Sequence, residues 1–193
     1  MRSLHWNGKK IASSGIRDNT NMTATIRILS AKSDITAFRA LREEAIIDSP
    51  ESFGETKDQV ITKTNEDYES ILSCHGNGDF VMGAFINESL VGCLGFFHKQ
   101  LGNLSHKGMM WGMYVQPGYR RSGIACALIE KTLDQVRLIN RALYVQLSVV
   151  TSNTAAVSLY KRMGFTVFGT EPCALRIDGR CYDEYHMQLE IGL

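Results

Sequence analysis

The segment Gln116-Pro117-Gly118-Tyr119-Arg120-Arg121-Ser122-Gly123-Ile124-Ala125 separates two stretches that have different hydrophobic periods. Before it, residues 109–115 form a continuous apolar and aromatic run, as in a buried strand. After it, apolar residues recur at helical spacing, at positions 124, 128, 129, 133 and 136. The sequence therefore predicts a strand, a short basic loop and a long helix in succession.

This loop has the features of an anion-binding site. A helix N-terminus exposes unpaired backbone N–H groups and the positive end of the helix dipole. Gly123 allows a ligand to approach the backbone closely, and Arg120 and Arg121 add full positive charges. We therefore expect the loop to bind a pyrophosphate-like group. The alternative interpretation is an ordinary glycine-containing loop with solvated arginines.

The rest of residues 25–193 alternates between strand-like and helix-like periods. Strands are predicted at residues 25–29, 80–86, 90–97, 108–115, 143–150, 165–168, 173–176 and 182–190, and helices at residues 35–48, 64–73, 124–139 and 154–163. The short polar connections at 87–89 and 177–180 predict antiparallel hairpins. Gly164 is expected to end the last helix. This succession predicts an α/β fold whose mixed, mostly antiparallel central sheet carries helices on both faces.

Residues 1–24 differ from the rest of the chain. They have no clear hydrophobic period and are rich in Ser, Asn, Gly and Thr, which predicts a flexible N-terminal extension to a single domain at 25–193. Met22 is an alternative start, in which case the segment does not belong to the native protein. A docking or nucleic-acid-binding tail is the other alternative, although the positive charge is sparse.

Composition narrows the functional class. The chain has 193 residues, of which 44% are hydrophobic and 21% charged, as in one globular domain with a sizeable core. A net charge of +1 does not indicate the basic surface that a nucleic-acid-binding protein typically has. Residues 1–24 hold four basic side chains and one acidic side chain, which leaves residues 25–193 with a formal charge of −2. This mild acidity favours cationic amines weakly.

The compartment is predicted from the cysteines and from the lack of long apolar segments. The five cysteines, Cys74, Cys93, Cys126, Cys173 and Cys181, show neither zinc-site spacing nor a disulfide framework. The N-terminus lacks the apolar run of a signal peptide, and no segment is long enough to span a bilayer. We therefore predict a cytoplasmic protein without membrane contact, whose cysteines are mostly buried as small apolar residues.

The motif Arg120-x-x-Gly123-x-Ala125 resembles the acyl-CoA pyrophosphate loop of the GCN5-related N-acetyltransferases (GNATs), which has the pattern Gln/Arg-x-x-Gly-x-Gly/Ala. The predicted element order over residues 25–193 is also similar to that of the GNAT fold. The resemblance implies an acyltransferase that passes the acetyl group of acetyl-CoA directly to a primary amine of a small molecule, protein or peptide. It implies no metal.

A second local pattern agrees with this resemblance. Asn153 and Tyr160 are seven residues apart in a predicted helix, so their side chains point the same way. In family members that look like this, the asparagine lies near the pantetheine and phosphate arm, and the tyrosine hydroxyl lies near the CoA sulfur as general acid. An N-cap asparagine and a core tyrosine are the structural alternatives.

The strand that leads into the basic loop has an expected role of its own. In the family, its end splays away from the next strand, here 143–148, and the pantetheine inserts between the two. The resemblance thus implies that the backbone of Met113 and Val115 pairs with the pantetheine amides. The predicted cofactor-binding residues are Met113, Tyr114, Val115, Arg120, Arg121, Ser122, Gly123, Ile124, Ala125, Asn153 and Tyr160.

The general base is less evident from the sequence. No acidic residue occurs between Gly108 and Val115, and the candidates elsewhere are Glu51, His106, Asp183, Glu184 and His186. Of these, Glu184 is our predicted base. A dedicated base could also be absent, because positioning alone contributes strongly to attack of an amine on a thioester.

Two alternatives to the acetyltransferase prediction remain open. One is a non-catalytic module that binds or senses acyl-CoA on the same fold. The other is an acyltransferase with a different donor such as succinyl-CoA, which needs a cationic group near the acyl end. In each case we expect a monomer or homodimer that binds neither nucleic acid nor membrane.

Overall fold

The computed structural model describes residues 23–73, 78–139 and 141–192. Within these ranges the elements are β1 (Thr25–Ile28), α1 (Ile35–Asp48), α2 (Lys57–Ile61), α3 (Asn65–Ser73), β2 (Phe80–Ile86), β3 (Ser89–His98), β4 (Lys107–Val115), α4 (Ile124–Ile139), β5 (Tyr144–Val150), α5 (Thr154–Arg162), β6 (Thr166–Ile177) and β7 (Arg180–Glu190). The predicted N-terminal extension lies almost entirely outside the described residues.

The strands form one sheet in the order β1-β2-β3-β4-β5-β7-β6. Neighbouring strands are antiparallel except β4 and β5, which are parallel. Both predicted hairpins form, and each turns through two residues with positive φ, Asn87-Glu88 and Asp178-Gly179. Such turns match the right-handed twist of the strands that they join. The prediction of a mixed, mostly antiparallel sheet is confirmed.

Helices cover both faces of this sheet, as predicted, and bury two separate cores. One core joins α4 and α5 to the sheet and contains the fully buried Leu128 and Ile129. The other joins α1, α2 and α3 to the opposite face and includes Phe38 and Tyr68. Alternate residues of a strand therefore point into different cores.

The observed elements differ from the predicted ones in two places. Helix α2 was not predicted, because its five residues include one buried side chain, Val60, and so show no period. A capping box stabilises its start, in which Thr56 and Gln59 exchange side-chain-to-backbone hydrogen bonds. The predicted strands at 165–168 and 173–176 are parts of one long strand, β6, which tolerates Pro172 because it lies at the edge of the sheet.

The cysteine prediction is wrong for one pair. Cys173 and Cys181 form a disulfide across the β6–β7 hairpin, with their Cα atoms 4.7 Å apart. The turn at 178–179 brings these residues together, and their spacing in the sequence alone does not reveal that register. Cys93 is buried, as predicted, whereas Cys74 lies outside the described residues. None of the described helices is long and apolar enough to cross a membrane.

Candidate active site

Strands β4 and β5 separate along their length, as predicted. They pair only where Lys107–Met109 faces Tyr144–Gln146. Beyond this point the two strands line a slot of about 90 Å³. Gly112 contributes to the divergence, because its positive φ of 64° coincides with a bulge in the pairing of β4 with β3. The slot is thus a gap in the middle of the sheet.

A groove of about 770 Å³ continues from the slot to the N-terminus of α4. Nine of the predicted cofactor-binding residues line it: Met113, Tyr114, Val115, Arg120, Arg121, Gly123, Ile124, Ala125 and Asn153. Gly123 has a φ of 88°, a conformation that other residues adopt only with strain. The backbone N–H groups of Ile124 and Ala125 have no hydrogen-bond partner among the described residues. They are therefore available to an anion.

The two predicted arginines of the loop have different environments. The guanidinium of Arg120 donates to the carbonyl of Val115 at 2.9 Å and forms a salt bridge with Asp48. Its hydrogen bond to Asp48 lowers the pKa of that carboxyl group. Arg120 thus connects the loop to the end of α1. Arg121 is exposed and has no side-chain partner within the described part of the chain.

One cation beside the groove was not predicted. Arg162, in the last turn of α5, lines the groove and donates to the sulfur of Cys126 at 3.9 Å. It lies three residues after Leu159 and seven after Ala155, so these three side chains share the helix face that lines the groove. Ser122, by contrast, does not line the groove; its hydroxyl donates to the carbonyl of Tyr119 at 2.5 Å.

Asn153 and Tyr160 both line the slot, as their spacing on α5 indicated. The side chain of Asn153 caps α5 by accepting from the N–H of Ala156 at 3.1 Å, and it also donates to Ser52. Tyr160 is only 7% exposed and packs edge-on against Phe165. Burial raises the pKa of its hydroxyl. Both residues therefore have a structural role and also face the slot.

On the other side of the slot lies a second cavity of about 470 Å³. Its wall includes Arg42, Glu55 and Lys63. Glu55 forms salt bridges with both Arg42 and Lys63. Burial opposes ionisation of Glu55, but hydrogen bonds from Lys63 and Arg42 prevail and lower its pKa. Arg42 is buried, and its Nη1 has no hydrogen-bond partner among the described residues. The ionisable lining thus carries two positive groups and one negative group.

Most of the candidate bases lie away from these cavities. Asp183 accepts from the N–H of Cys173 at 2.8 Å, and His106 packs against Tyr144 at the paired end of β4 and β5. Glu184, our predicted base, is half-buried on β7 and lines neither the slot nor the cavity. Burial, together with Glu171, raises the pKa of Glu184, and His186 opposes this.

His186 alone of the candidates has a link to the cavity. Its Nδ1 lies 2.9 Å from the hydroxyl oxygen of Ser148, which lines both the slot and the cavity. The sequence analysis did not select Ser148, because one serine in an apolar strand gives no signal of its own. Glu51 does not line the slot or the cavity, although its neighbours Ser52 and Phe53 line both.

A family model described as "Acetyltransferase (GNAT) family" matches residues 38–165, about two thirds of the chain. The chain belongs to this family. The GNAT-family acetyltransferase of Streptococcus pneumoniae has a similar structure, with a TM-score of 0.79 over 88% of this chain and 100% of that one, at 24% identity. A putative acetyltransferase of Salmonella typhimurium, solved with acetyl-CoA, gives a TM-score of 0.76 at 21% identity over 90% and 96% of the chains.

Curated relatives match over shorter segments of the chain. An N-alpha-acetyltransferase of Sulfurisphaera tokodaii is 39% identical over 35% of this chain and 40% of that protein. The L-amino acid N-acetyltransferase of Escherichia coli is 30% identical over 54% of this chain and 64% of that protein. The chain thus spans less than two thirds of the length of these relatives.

Proposed function

We propose that this GNAT protein is an N-acetyltransferase that transfers the acetyl group of acetyl-CoA to a primary amine. The observation that carries the proposal is a continuous path through the molecule. Met113 and Asn153 line both the groove and the slot, and Trp111 and Ser148 line both the slot and the second cavity. A donor in the groove and an acceptor in the cavity would therefore meet at the slot.

The predicted cofactor residues account for donor binding. The free amides at the start of α4 receive the pyrophosphate, and Arg121 and Arg162 add positive charge beside it. The pantetheine follows the unpaired edge of β4, where the backbone of Met113 and Val115 offers hydrogen bonds. This arrangement directs the thioester into the slot.

The chemistry then needs no covalent intermediate. The amine attacks the thioester carbon, and backbone N–H groups of β4 stabilise the oxyanion. Tyr160 donates its proton to the departing CoA thiolate. Because burial raises the pKa of Tyr160, its hydroxyl is protonated at neutral pH and is available to donate to the thiolate as it leaves.

The second cavity narrows the range of acceptors. The negative charge of residues 25–193 favoured cationic amines, but the cavity is lined by Arg42 and Lys63 against Glu55. An acceptor with a carboxylate near its amine fits this lining better than a polyamine does. The names of the relatives, an N-alpha-acetyltransferase and an L-amino acid N-acetyltransferase, are consistent with such an acceptor.

Arg42 also favours a second candidate function. A succinyl-type donor needs a cation beyond its thioester, and Arg42 lies in the cavity that adjoins the slot. Acetyl-CoA remains the donor that we propose, because Glu55 already neutralises part of this charge. A non-catalytic acyl-CoA-binding module is the third alternative.

A thiol-release assay separates these functions. Acetyl-CoA and succinyl-CoA are each incubated with a panel of amino acids, short peptides, polyamines and aminoglycosides. We expect turnover with acetyl-CoA, fastest for acceptors that carry a carboxylate near the amine. Faster turnover with succinyl-CoA would establish the other donor. Tight CoA binding in calorimetry without turnover of any amine would establish the binding module.

A further inference from the structure

The chain Ser148–His186–Glu171 is a hydrogen-bonded series that leads away from the slot. The hydroxyl of Ser148 lies 2.9 Å from Nδ1 of His186, and Nε2 of His186 lies 2.9 Å from a carboxylate oxygen of Glu171. The three side chains come from β5, β7 and β6. They begin at the junction of the slot and the second cavity and end at the surface.

The sheet fixes this arrangement. Ser148 is the direct cross-strand partner of His186, and Glu171 is opposite Glu184, two residues before His186 on the same strand. Leu147 and Val149 point into the core under α4 and α5, so Ser148 between them must point to the other face. This face carries the second cavity. The pairing of three strands, and not loop flexibility, brings the side chains together.

The hydrogen bonds also define the tautomer of the imidazole. A carboxylate can only accept, so Nε2 of a neutral His186 carries the hydrogen and donates it to Glu171. Nδ1 then has a free lone pair, and the hydroxyl of Ser148 donates to it. Ser148 keeps an oxygen lone pair for a donor in the cavity.

We propose that this series removes the proton of the acceptor amine, which deepens the proposed function and rests on it. The ammonium donates one proton to the oxygen of Ser148 as the hydroxyl proton of Ser148 passes to Nδ1 of His186. Ser148 is regenerated, the amine is neutral, and the imidazolium is paired with Glu171. The side chain of His186 is 31% exposed, so water takes the proton from it. When the tetrahedral intermediate collapses, Tyr160 gives its proton to the thiolate, and the second amine proton then restores the proton on Tyr160.

The environment of His186 suits a transient positive charge. Its ring faces Glu171 from β6, Ser148 from β5 and Phe168 at a ring distance of 6.0 Å, and Glu184 lies on the same face of β7. An imidazolium formed here therefore has a hydrogen-bonded carboxylate partner in Glu171. In this scheme Ser148 touches the substrate, and Glu171 is a positioning residue that holds the imidazole in the required tautomer.

The test compares Ser148→Ala, Ser148→Thr and His186→Asn with the wild type on its best acceptor from the panel. Ser148→Ala and His186→Asn should each lower kcat by about 10²-fold, the scale of general base catalysis. The KM for acceptor, the Kd for CoA and the melting temperature should change little. Ser148→Thr keeps the hydroxyl and should restore most of the rate. Added imidazole should partly rescue His186→Asn.

Two controls separate a relay from a structural role. His106→Asn changes a histidine at the paired end of β4 and β5 and should behave like the wild type. Glu171→Gln should lower kcat by about tenfold in the wild type but have no further effect on His186→Asn, as expected for groups that act in series.

Several results would overturn the proposal. If His186→Asn has the wild-type rate, the relay is rejected, whereas the proposed acetyltransferase function stands. If acid-quenched enzyme carries an acetyl group on Ser148, then Ser148 acts as a nucleophile in covalent transfer and the relay is rejected. Turnover of no amine by the wild type would reject the proposed function and the relay together.

Discussion

The two sides of the slot are built in different ways. On the donor side, the groove is formed largely by one continuous segment, from Met113 to Cys126, and by one face of α5. On the acceptor side, the contacts join distant parts of the chain: Ser148 and His186 are 38 residues apart, and Arg42 and Glu55 are 13 apart. Anion binding needs free amides and a glycine, which a short segment can supply. The acceptor side exists only after the sheet has paired.

Gly123→Glu should produce the largest effect on the donor side. It adds a negative charge at the proposed pyrophosphate site and places a side chain where φ is 88°. We expect no measurable CoA binding by calorimetry and a largely native circular dichroism spectrum.

The matched control is Gly118→Glu in the same loop. A Cβ atom at Gly118 meets no other atom within 4 Å, and Gly118 does not line the groove. This variant should bind CoA almost normally. Equal affinity in both variants would mean that the loop is not the donor site.

Tyr160→Phe should produce the next largest effect, and it tests the slot where the two sides meet. The change removes a hydroxyl and keeps the ring against Phe165, so stability and CoA affinity should hardly change. We expect kcat to fall about 10²-fold with a nearly constant KM for acetyl-CoA.

Tyr144→Phe serves as the control for Tyr160→Phe. Tyr144 lies at the paired end of β4 and β5 and packs against His106. Its variant should retain the wild-type rate. If Tyr160→Phe also does so, Tyr160 is a core residue and another group protonates the thiolate.

The difference between the two sides also explains what the sequence could predict. The loop at 116–125, the Asn153–Tyr160 spacing and the period of α4 are local patterns, and each leads directly to a feature of the groove or slot. The hairpin at 87–88 could be predicted because its turn chemistry is local as well.

The features that the sequence did not reveal depend on strand register. Ser148 is a single polar residue in an apolar run, and it meets His186 only because β5 pairs with β7. Cys173 and Cys181 pair for the same kind of reason across the β6–β7 hairpin. Glu184, our predicted base, lies on the same face of β7 as His186, but of the two only His186 contacts Ser148 at the cavity. Alternation along a sequence shows which residues share one face of a strand. It does not show which residue of the neighbouring strand lies opposite them.

Glu55→Gln should produce a moderate effect that is confined to the acceptor side. The change weakens the pairing of the buried Arg42 and of Lys63. The partner Arg42 is buried, but the Glu55 side chain is 35% exposed, and solvent screens part of the interaction. We therefore expect a loss of about 1–3 kcal/mol in unfolding free energy. The acceptor KM should change, and the Kd for CoA should not.

Glu43→Gln is the matched control for Glu55→Gln. Glu43 pairs with Arg39 on the surface of α1 at i,i+4 spacing, so its loss should change stability by less than about 0.5 kcal/mol. Urea unfolding measures both variants. A change in CoA affinity with Glu55→Gln would contradict the separation of the two sides.

The same carboxylate predicts a pH dependence. The folded protein lowers the pKa of Glu55 from its ordinary value of 4.5, so its ion pairs add stability above that value. This contribution is lost as the pH falls through the lower folded-state pKa. The difference in unfolding free energy between wild type and Glu55→Gln should therefore be constant at pH values well above 4.5 and shrink as the pH falls below 4.5. A difference that does not shrink would show that packing, and not charge, is responsible.

The smallest effects should come from the two loop arginines, and they sharpen the description of the donor side. Arg121→Ala removes an exposed charge beside the groove and should weaken CoA binding by about 1 kcal/mol, or fivefold, with an unchanged melting temperature. High salt should reduce this effect, because it screens exposed charges.

Arg120→Ala should also lower the melting temperature, since it breaks the connection from the loop to Asp48 and Val115. Asp48→Asn separates the two roles of Arg120, because it weakens the same connection without removing a cation from the groove. Arg120→Ala also breaks the hydrogen bond to Val115, so it should weaken CoA binding at least as much as Asp48→Asn does. If Arg120 acts only by holding the loop, the extra loss in Arg120→Ala should not depend on salt. An extra loss that shrinks at high salt would mean that its guanidinium also attracts the phosphates, because salt screens charge–charge attraction.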